Sequence, residues 1–176
     1  MRKLNFIKSL IVIIFTFTGF LLNAQKPIPT TENFSIEGKV KKEMTVSLAD
    51  LSSYTSYSID SIVITNHLGE RRSTLKNVKG VLLKDILNKV EIDAESPRVL
   101  SEYYFVCIAS DNYKTVFSWN EIFNNDLGKS IYILNGNDGK TASVLDNRIA
   151  LVSPTDKMTG RRYVKGLQKI VIERVK

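Results

Sequence analysis

The sequence predicts an α+β domain, with mixed sheets and short helices interspersed among the strands. Three observations carry this. Short stretches rich in β-branched residues or alternating apolar and polar ones recur along the chain, as strands require. The helical patterns between them are brief. The 176 residues contain no internal repeat and no composition break that would mark a linker, so one domain accounts for them. With 43% hydrophobic and 24% charged residues, the composition is that of an ordinary globular protein.

The N-terminal segment is set aside before the fold is considered. It begins MRKLNFIK, with Arg2, Lys3 and Lys8, and continues as the apolar run LIVIIFTFTGFLL before LNAQ brings the small residue Ala24. A charged start, a short apolar core and a small residue at its end describe a secretory signal peptide over residues 1–24, with an uncleaved anchor as the alternative. The expected location is periplasmic or secreted, with no stable membrane span after cleavage. Losing Arg2, Lys3 and Lys8 lowers the net charge from +7 to +4. The remaining excess is scattered over KVKKE, GERR and GRRYVKG rather than drawn into a basic stripe, which argues against nucleic acid. A single cysteine, Cys107, excludes an internal disulfide, so core burial alone must hold the domain together.

Residues 25–33 read as an extended lead-in, because Pro27 and Pro29 block helix. The domain proper follows over 34–176. FSIEGKV alternates and reaches a glycine, a strand signal. EMTVSLADLSSY is a second strand running into a short helix with Ser47 as N-cap. YSIDSIVIT, with Ile59, Ile62, Val63 and Ile64, reads as a central strand. A basic loop around His67 follows, and VLLKDILNKV then spaces Val81, Leu82, Ile86, Leu87 and Val90 as an amphipathic helix over 81–90. YYFVCIAS is a buried strand and SDNY a turn. SWNEIFNN is a short helix capped by Ser118, and SIYILNGNDG a strand entering an Asn/Gly turn. RIALVSP and KGLQKIVIERV close the chain as strands.

Most chemical motifs are missing. His67, the only histidine, has no HxxxH or HExxH partner, and Cys107 has no CxxC partner, so a zinc site lacks its usual ligands. NGNDGK lacks the following glutamate of a calcium loop and reads as a hairpin turn. There is no G-x-S-x-G and no phosphate-binding glycine loop. Cys107 lies in an apolar strand, where a thiol behaves as a small hydrophobe. What remains is cationic: Arg71 and Arg72, and separately Arg161, Arg162 and Lys165, sit beside glycines at strand ends. Such arginine forks suit oxyanions, and they equally suit a solvated surface.

The order of these pieces resembles the molybdopterin-binding domain of the sulfite oxidase family. That family has a strand feeding C-x-G-N-R-R and then a helix of the form G-x-x-L-x-D-x-L; here IVITNHLGERR and KGVLLKDIL stand in that order. VCIASDNYKTVFSWNEIF is similar to the stretch carrying the family's active-site tyrosine, and it sets Tyr113 at that position. YILNG resembles the family's Asn-Gly turn, and IALVSPTDKMTGRRYVKGLQKIVI its closing pattern. The likeness runs over roughly residues 34–174. It implies a sulfite-oxidase-like fold, molybdopterin as cofactor, a catalytic role for Tyr113, cofactor contacts from Arg71, Arg72, Arg162 and Lys165, and a metal position at His67. It further implies that His67, Arg72, Tyr113 and Lys165 share one cleft.

The departures bear on the metal. His67 stands where the family has its molybdenum-binding cysteine, and an imidazole is not equivalent to a thiolate there. Glu70 replaces an asparagine, Ala150 an arginine and Gly166 a tryptophan. His67 thus has three readings: metal ligand, donor to an anion, or plain loop residue. Two functions follow. One is an exported binding domain for a small anionic or pterin-like ligand, or for another exported protein, with metal ligation lost or altered. The other is a molybdopterin-dependent oxidoreductase acting on a small oxyanion or oxide.

Overall fold

The structure is a computed structural model that describes residues 28–145 and 148–176. The signal peptide expected over residues 1–24 lies outside them. Phe34 and Ile36 alternate with Ser35 and Glu37, and this two-residue period sets strand β1 (Asn33–Gly38), burying both apolar side chains completely. The chain returns as β2 (Met44–Ser47) and enters α1 (Leu48–Leu51). Ser47 caps that helix as the sequence predicts: its hydroxyl accepts the Asp50 amide, and the Asp50 carboxylate accepts the Ser47 amide. A hairpin of β3 (Ser56–Thr65) and β4 (Arg71–Leu82) leads to α2 (Leu83–Leu87). Strands β5 (Tyr103–Ala109) and β6 (Lys114–Ser118) precede α3 (Trp119–Phe123), where Ser118 and Glu121 repeat the reciprocal cap. The remainder is β7 (Tyr132–Asn137), β8 (Lys140–Thr141), β9 (Ala150–Val152), a 3₁₀ turn at Thr159–Arg162, β10 (Val164–Lys165) and β11 (Leu167–Arg174).

The strands form two sheets, and the α+β class with mixed sheets follows from them. The first has the order β2-β1-β11-β5-β6, with β1 and β11 parallel and the other pairs antiparallel. The second is antiparallel, with the order β10-β9-β7-β4-β3 and β8 folded onto β7. The main core unites the two. Phe34, Phe105, Phe117 and Ile170 of the first sheet pack in one cluster with Val81, Ile133, Leu151 and Val164 of the second, while α2 and α3 add Leu83, Ile86 and Ile122. The second sheet carries a smaller cluster on its other face, built from Ile62, Ile64, Val78, Leu134, Ala150 and Val152. Neighbours such as Ile133 and Leu134 point oppositely along a strand, so this sheet is apolar on both sides. Among the described residues no helix is long and apolar enough to cross a membrane.

Three expectations are corrected. The basic stretch around His67 is a loop only over residues 66–70, because Arg71–Leu82 pairs with β3 along most of its length. The helix expected over 81–90 is only Leu83–Leu87; Val81 and Leu82 complete β4, where burial on both faces produces a continuous apolar run that imitates a helical stripe. The strand expected to be central, β3, lies at a sheet edge. Its Ile62 and Ile64 are buried while Val63 between them is 43% exposed, the one-sided pattern of a strand that faces water. Part of that edge is closed by one side chain. The Thr159 hydroxyl donates to the Val63 carbonyl at 2.7 Å and accepts the Thr65 amide at 2.9 Å, standing in for a neighbouring strand at two backbone groups.

Candidate functional site

The site grows from the alternation in Tyr163-Val164-Lys165. Val164 is fully buried in the main core, so Tyr163 and Lys165 turn to the other face of the second sheet. There they meet Ser73 and Leu75 of β4, Leu134 and Asn137 of β7 and Ala150 of β9, around a cavity of about 210 Å³. A second cavity of about 250 Å³ is lined by Ile28, Ala109, Asp111, Tyr113 and Gly160, and again by Tyr163 and Lys165. Those two residues therefore border both spaces.

Their chemistry suits an anion. Lys165 Nζ lies 5.3 Å from the centroid of the Tyr163 ring, a cation–π distance, and Lys165 makes no ion pair among the described residues. Burial pushes the Tyr163 hydroxyl up to about 12, so at neutral pH it keeps its proton and can donate. Arg148, also on the first cavity, is ion-paired to Glu32. Tyr113 is 41% exposed and its hydroxyl donates to the Arg161 carbonyl at 2.7 Å, leaving the phenol oxygen to accept.

The other residues singled out in the sequence lie elsewhere. Arg162 does not line either cavity. Its Nε and Nη2 grip both oxygens of Asp156 at 2.7 and 2.6 Å, its Nη1 reaches Glu121 at 2.9 Å, and its guanidinium lies 4.5 Å from the centroid of the Phe117 ring. His67, Arg71 and Arg72 are exposed at the β3–β4 hairpin tip. The tip is organised by Asn66, whose side-chain oxygen accepts the Leu68 and Glu70 amides at 2.9 and 3.0 Å, while Arg72 lies 3.8 Å from Glu70. So Tyr113 and Lys165 share a cleft, and His67 and Arg72 line neither of its cavities. Among the described residues no three His, Cys, Asp or Glu side chains gather as a metal site. Cys107 is fully buried on β5, and burial pushes its thiol up to about 12. Native protein is therefore expected to resist a thiol-reactive dye such as Ellman's reagent at neutral pH and to react stoichiometrically in denaturant; rapid native labelling would contradict this burial.

Two positions that differ from the resembled sulfite oxidase pattern have a physical cause. Gly166 has φ +63°, and a Cβ there would lie 2.7 Å from Ser110 Oγ and 2.8 Å from the Pro29 carbonyl, so the lead-in fills the space a larger side chain would take. Ser110 Oγ ties that lead-in down by donating to the same carbonyl at 2.6 Å. Ala150, where the family has an arginine, makes the first cavity's floor apolar. Sequence reasoning missed Ser73, Asn137 and Tyr163. For Tyr163 a signal was present: it stands two residues from Lys165 and so shares its face in an extended strand.

No family model matches the chain, and no curated protein sequence matches it. The fold has a solved counterpart. The structure of the sulfane dehydrogenase SoxCD from Paracoccus pantotrophus superposes with a TM-score of 0.62 at 13% sequence identity. The match covers 82% of this chain and 39% of that one, so the likeness is to a part of the larger protein and is a likeness of fold.

Proposed function

We propose that this protein is an exported, periplasmic or secreted, binding domain for a small anionic or pterin-like ligand. The observation that carries the reading is Lys165, a cation without an ion-pair partner among the described residues, bordering two cavities that Tyr163 also lines, with its Nζ 5.3 Å from the centroid of the tyrosine ring. An ammonium in such a place offers an anion a charge-assisted hydrogen bond and little competing attraction. Tyr113, across the second cavity, supplies an acceptor for a ligand N–H or O–H.

The residues do not fit a protein-ligated molybdenum centre. A thiolate is the soft ligand such a centre would take, and the chain's one thiol is sealed in the core. His67 stands on an exposed hairpin tip and belongs to no group of three or more His, Cys, Asp or Glu side chains among the described residues. These points support the reading that metal ligation has been lost. The second reading, a molybdopterin-dependent oxidoreductase, draws its support from the fold shared with a dehydrogenase. Elemental analysis and pterin fluorescence of the mature protein purified from its native host separate the two. About one molybdenum per chain would overturn the binding-only reading.

Binding itself is tested by calorimetric titration with phosphate, sulfate and pterin-6-carboxylate. Lys165→Met keeps the apolar stem and removes the charge, and it is expected to weaken the best of these ligands by about thirtyfold, or about 2 kcal/mol, with the melting temperature little changed. Equal affinity in wild type and variant would sink the assignment of Lys165.

A further inference from the structure

We infer that the ligand of the cavity between Ser73 and Lys165 is a small organic carboxylate with an apolar body, rather than an inorganic oxyanion. This rests on the anion-binding reading above and narrows its substrate class. The pairing of the second sheet sets the geometry. Lys165 stands opposite Ala150 across β10 and β9, and Ala150 stands opposite Leu134 across β9 and β7. Directly paired residues on one sheet face are near neighbours, so a cation, a methyl group and an isobutyl group succeed one another across three strands. Leu75 extends the apolar floor, and Ala150 and Leu134 are 5% and 2% exposed.

The charges point the same way. An inorganic dianion needs several converging donors to replace its hydration, and aliphatic side chains supply none. Here Lys165 is the one cation on the cavity without a partner among the described residues, because Arg148 is held by Glu32. Ser73, Asn137 and Tyr163 add neutral polar groups to the lining, none of them a second free charge. One positive charge matches one carboxylate, and the floor beyond it gains by covering an apolar body. The space of about 210 Å³ is smaller than the roughly 300–1,000 Å³ of a drug-sized ligand site and limits the occupant to a molecule of few heavy atoms. Ala150 sets this preference, since a long cationic side chain there would fill the floor and pair a second charge with Lys165.

The test is a calorimetric series with acetate, isovalerate, phenylacetate and sulfate. Affinity is expected to rise along the three carboxylates, with phenylacetate bound about tenfold or more tighter than sulfate. Ala150→Arg should reverse that order, weakening phenylacetate and strengthening sulfate. The wild-type series needs no variant, so a failure of Ala150→Arg to fold leaves the inference exposed to refutation. A flat carboxylate series, or sulfate bound as tightly as phenylacetate, overturns the inference and leaves the anion-binding reading standing. Saturable binding of none of the four, nor of phosphate or pterin-6-carboxylate, overturns both.

Discussion

Replacing Arg162 by alanine lowers folding stability by about 3 kcal/mol, read as a shift of the denaturant midpoint at unchanged slope. The guanidinium, with its side chain only 20% exposed, bridges Asp156 and Glu121 and lies against the Phe117 ring. Ser153 also donates to Asp156 at 2.9 Å, and the Ser118 amide to Glu121 at 2.7 Å, so both carboxylates sit in a network that loses its only cation. Removing one member of such a set strands the others, which costs more than the set contributes when whole. Arg162→Lys restores a charge but not the fork, and is expected to recover only part of the loss. The network also sets a pH dependence. Burial opposes ionisation of Glu121, but hydrogen bonds from the Ser118 amide, Arg162 and the Ser118 hydroxyl outweigh it and hold the carboxyl below its usual range. A depressed carboxyl stabilises the fold above its unfolded-state pKa, and that contribution disappears as the pH falls through the folded value. Wild-type stability should therefore decline as the pH falls through and below the ordinary carboxylate range, with a shallower decline in Arg162→Ala. If the variant instead keeps its stability and loses anion affinity, Arg162 is a ligand contact, as the family resemblance implies.

Gly160→Ala is expected to cost roughly 3 kcal/mol through a different cause. A Cβ at this position would lie 2.0 Å from the Thr65 carbonyl oxygen, and backbone cannot rotate away as a side chain can. The turn at Thr159–Arg162 must retreat from β3, which breaks the two hydrogen bonds that Thr159 makes to that edge. Gly160 also borders the Tyr113 cavity, so the variant should weaken ligand binding as well as melt earlier. Gly69→Ala is the control. At φ +84° with nothing within 4 Å of where a Cβ would lie, it carries only the backbone penalty, about 1 kcal/mol. Equal losses from both substitutions would show that the close approach to Thr65 has no energetic weight.

Local chemistry was legible in the sequence wherever a few neighbouring residues decide the outcome. Ser47 with Asp50 and Ser118 with Glu121 announce their helices, and the Asn-Asp-Gly of the β7–β8 hairpin supplies the positive φ at Asp138 and Gly139 that its turn needs. The pattern misleads where burial on two faces erases periodicity, as at Val81 and Leu82, and where solvation removes the apolar stripe, as in the outer half of β4. The lining of the two cavities was legible only in part. Lys165 and Tyr113 stood out by charge and by family likeness, and they do share a cavity. Arg162 looked the same as Lys165 in the sequence. Which of two nearby cations faces a cavity and which faces a pair of carboxylates depends on Asp156 and Glu121, and Glu121 comes near only after the chain has folded. Ser73 carries no motif and Asn137 reads only as part of a turn; the fold of the second sheet brings both to the cavity that Lys165 lines.

Strand β11 lies in the middle of the first sheet, with parallel β1 on one side and antiparallel β5 on the other. The order in which the two halves can form follows from this. Hairpin partners close in sequence build β3–β4 and β7–β8, and the second sheet can assemble as soon as β10 has left the ribosome. The first sheet cannot. Ser35 meets Lys169 and Gly38 meets Ile172, so the earliest strand waits, unpaired on that side, for the latest. Until residues 167–174 emerge, Phe34, Ile36 and Phe105 lack the strand that joins them, and a nascent chain exposes them to whatever chaperone or neighbouring chain reaches them first.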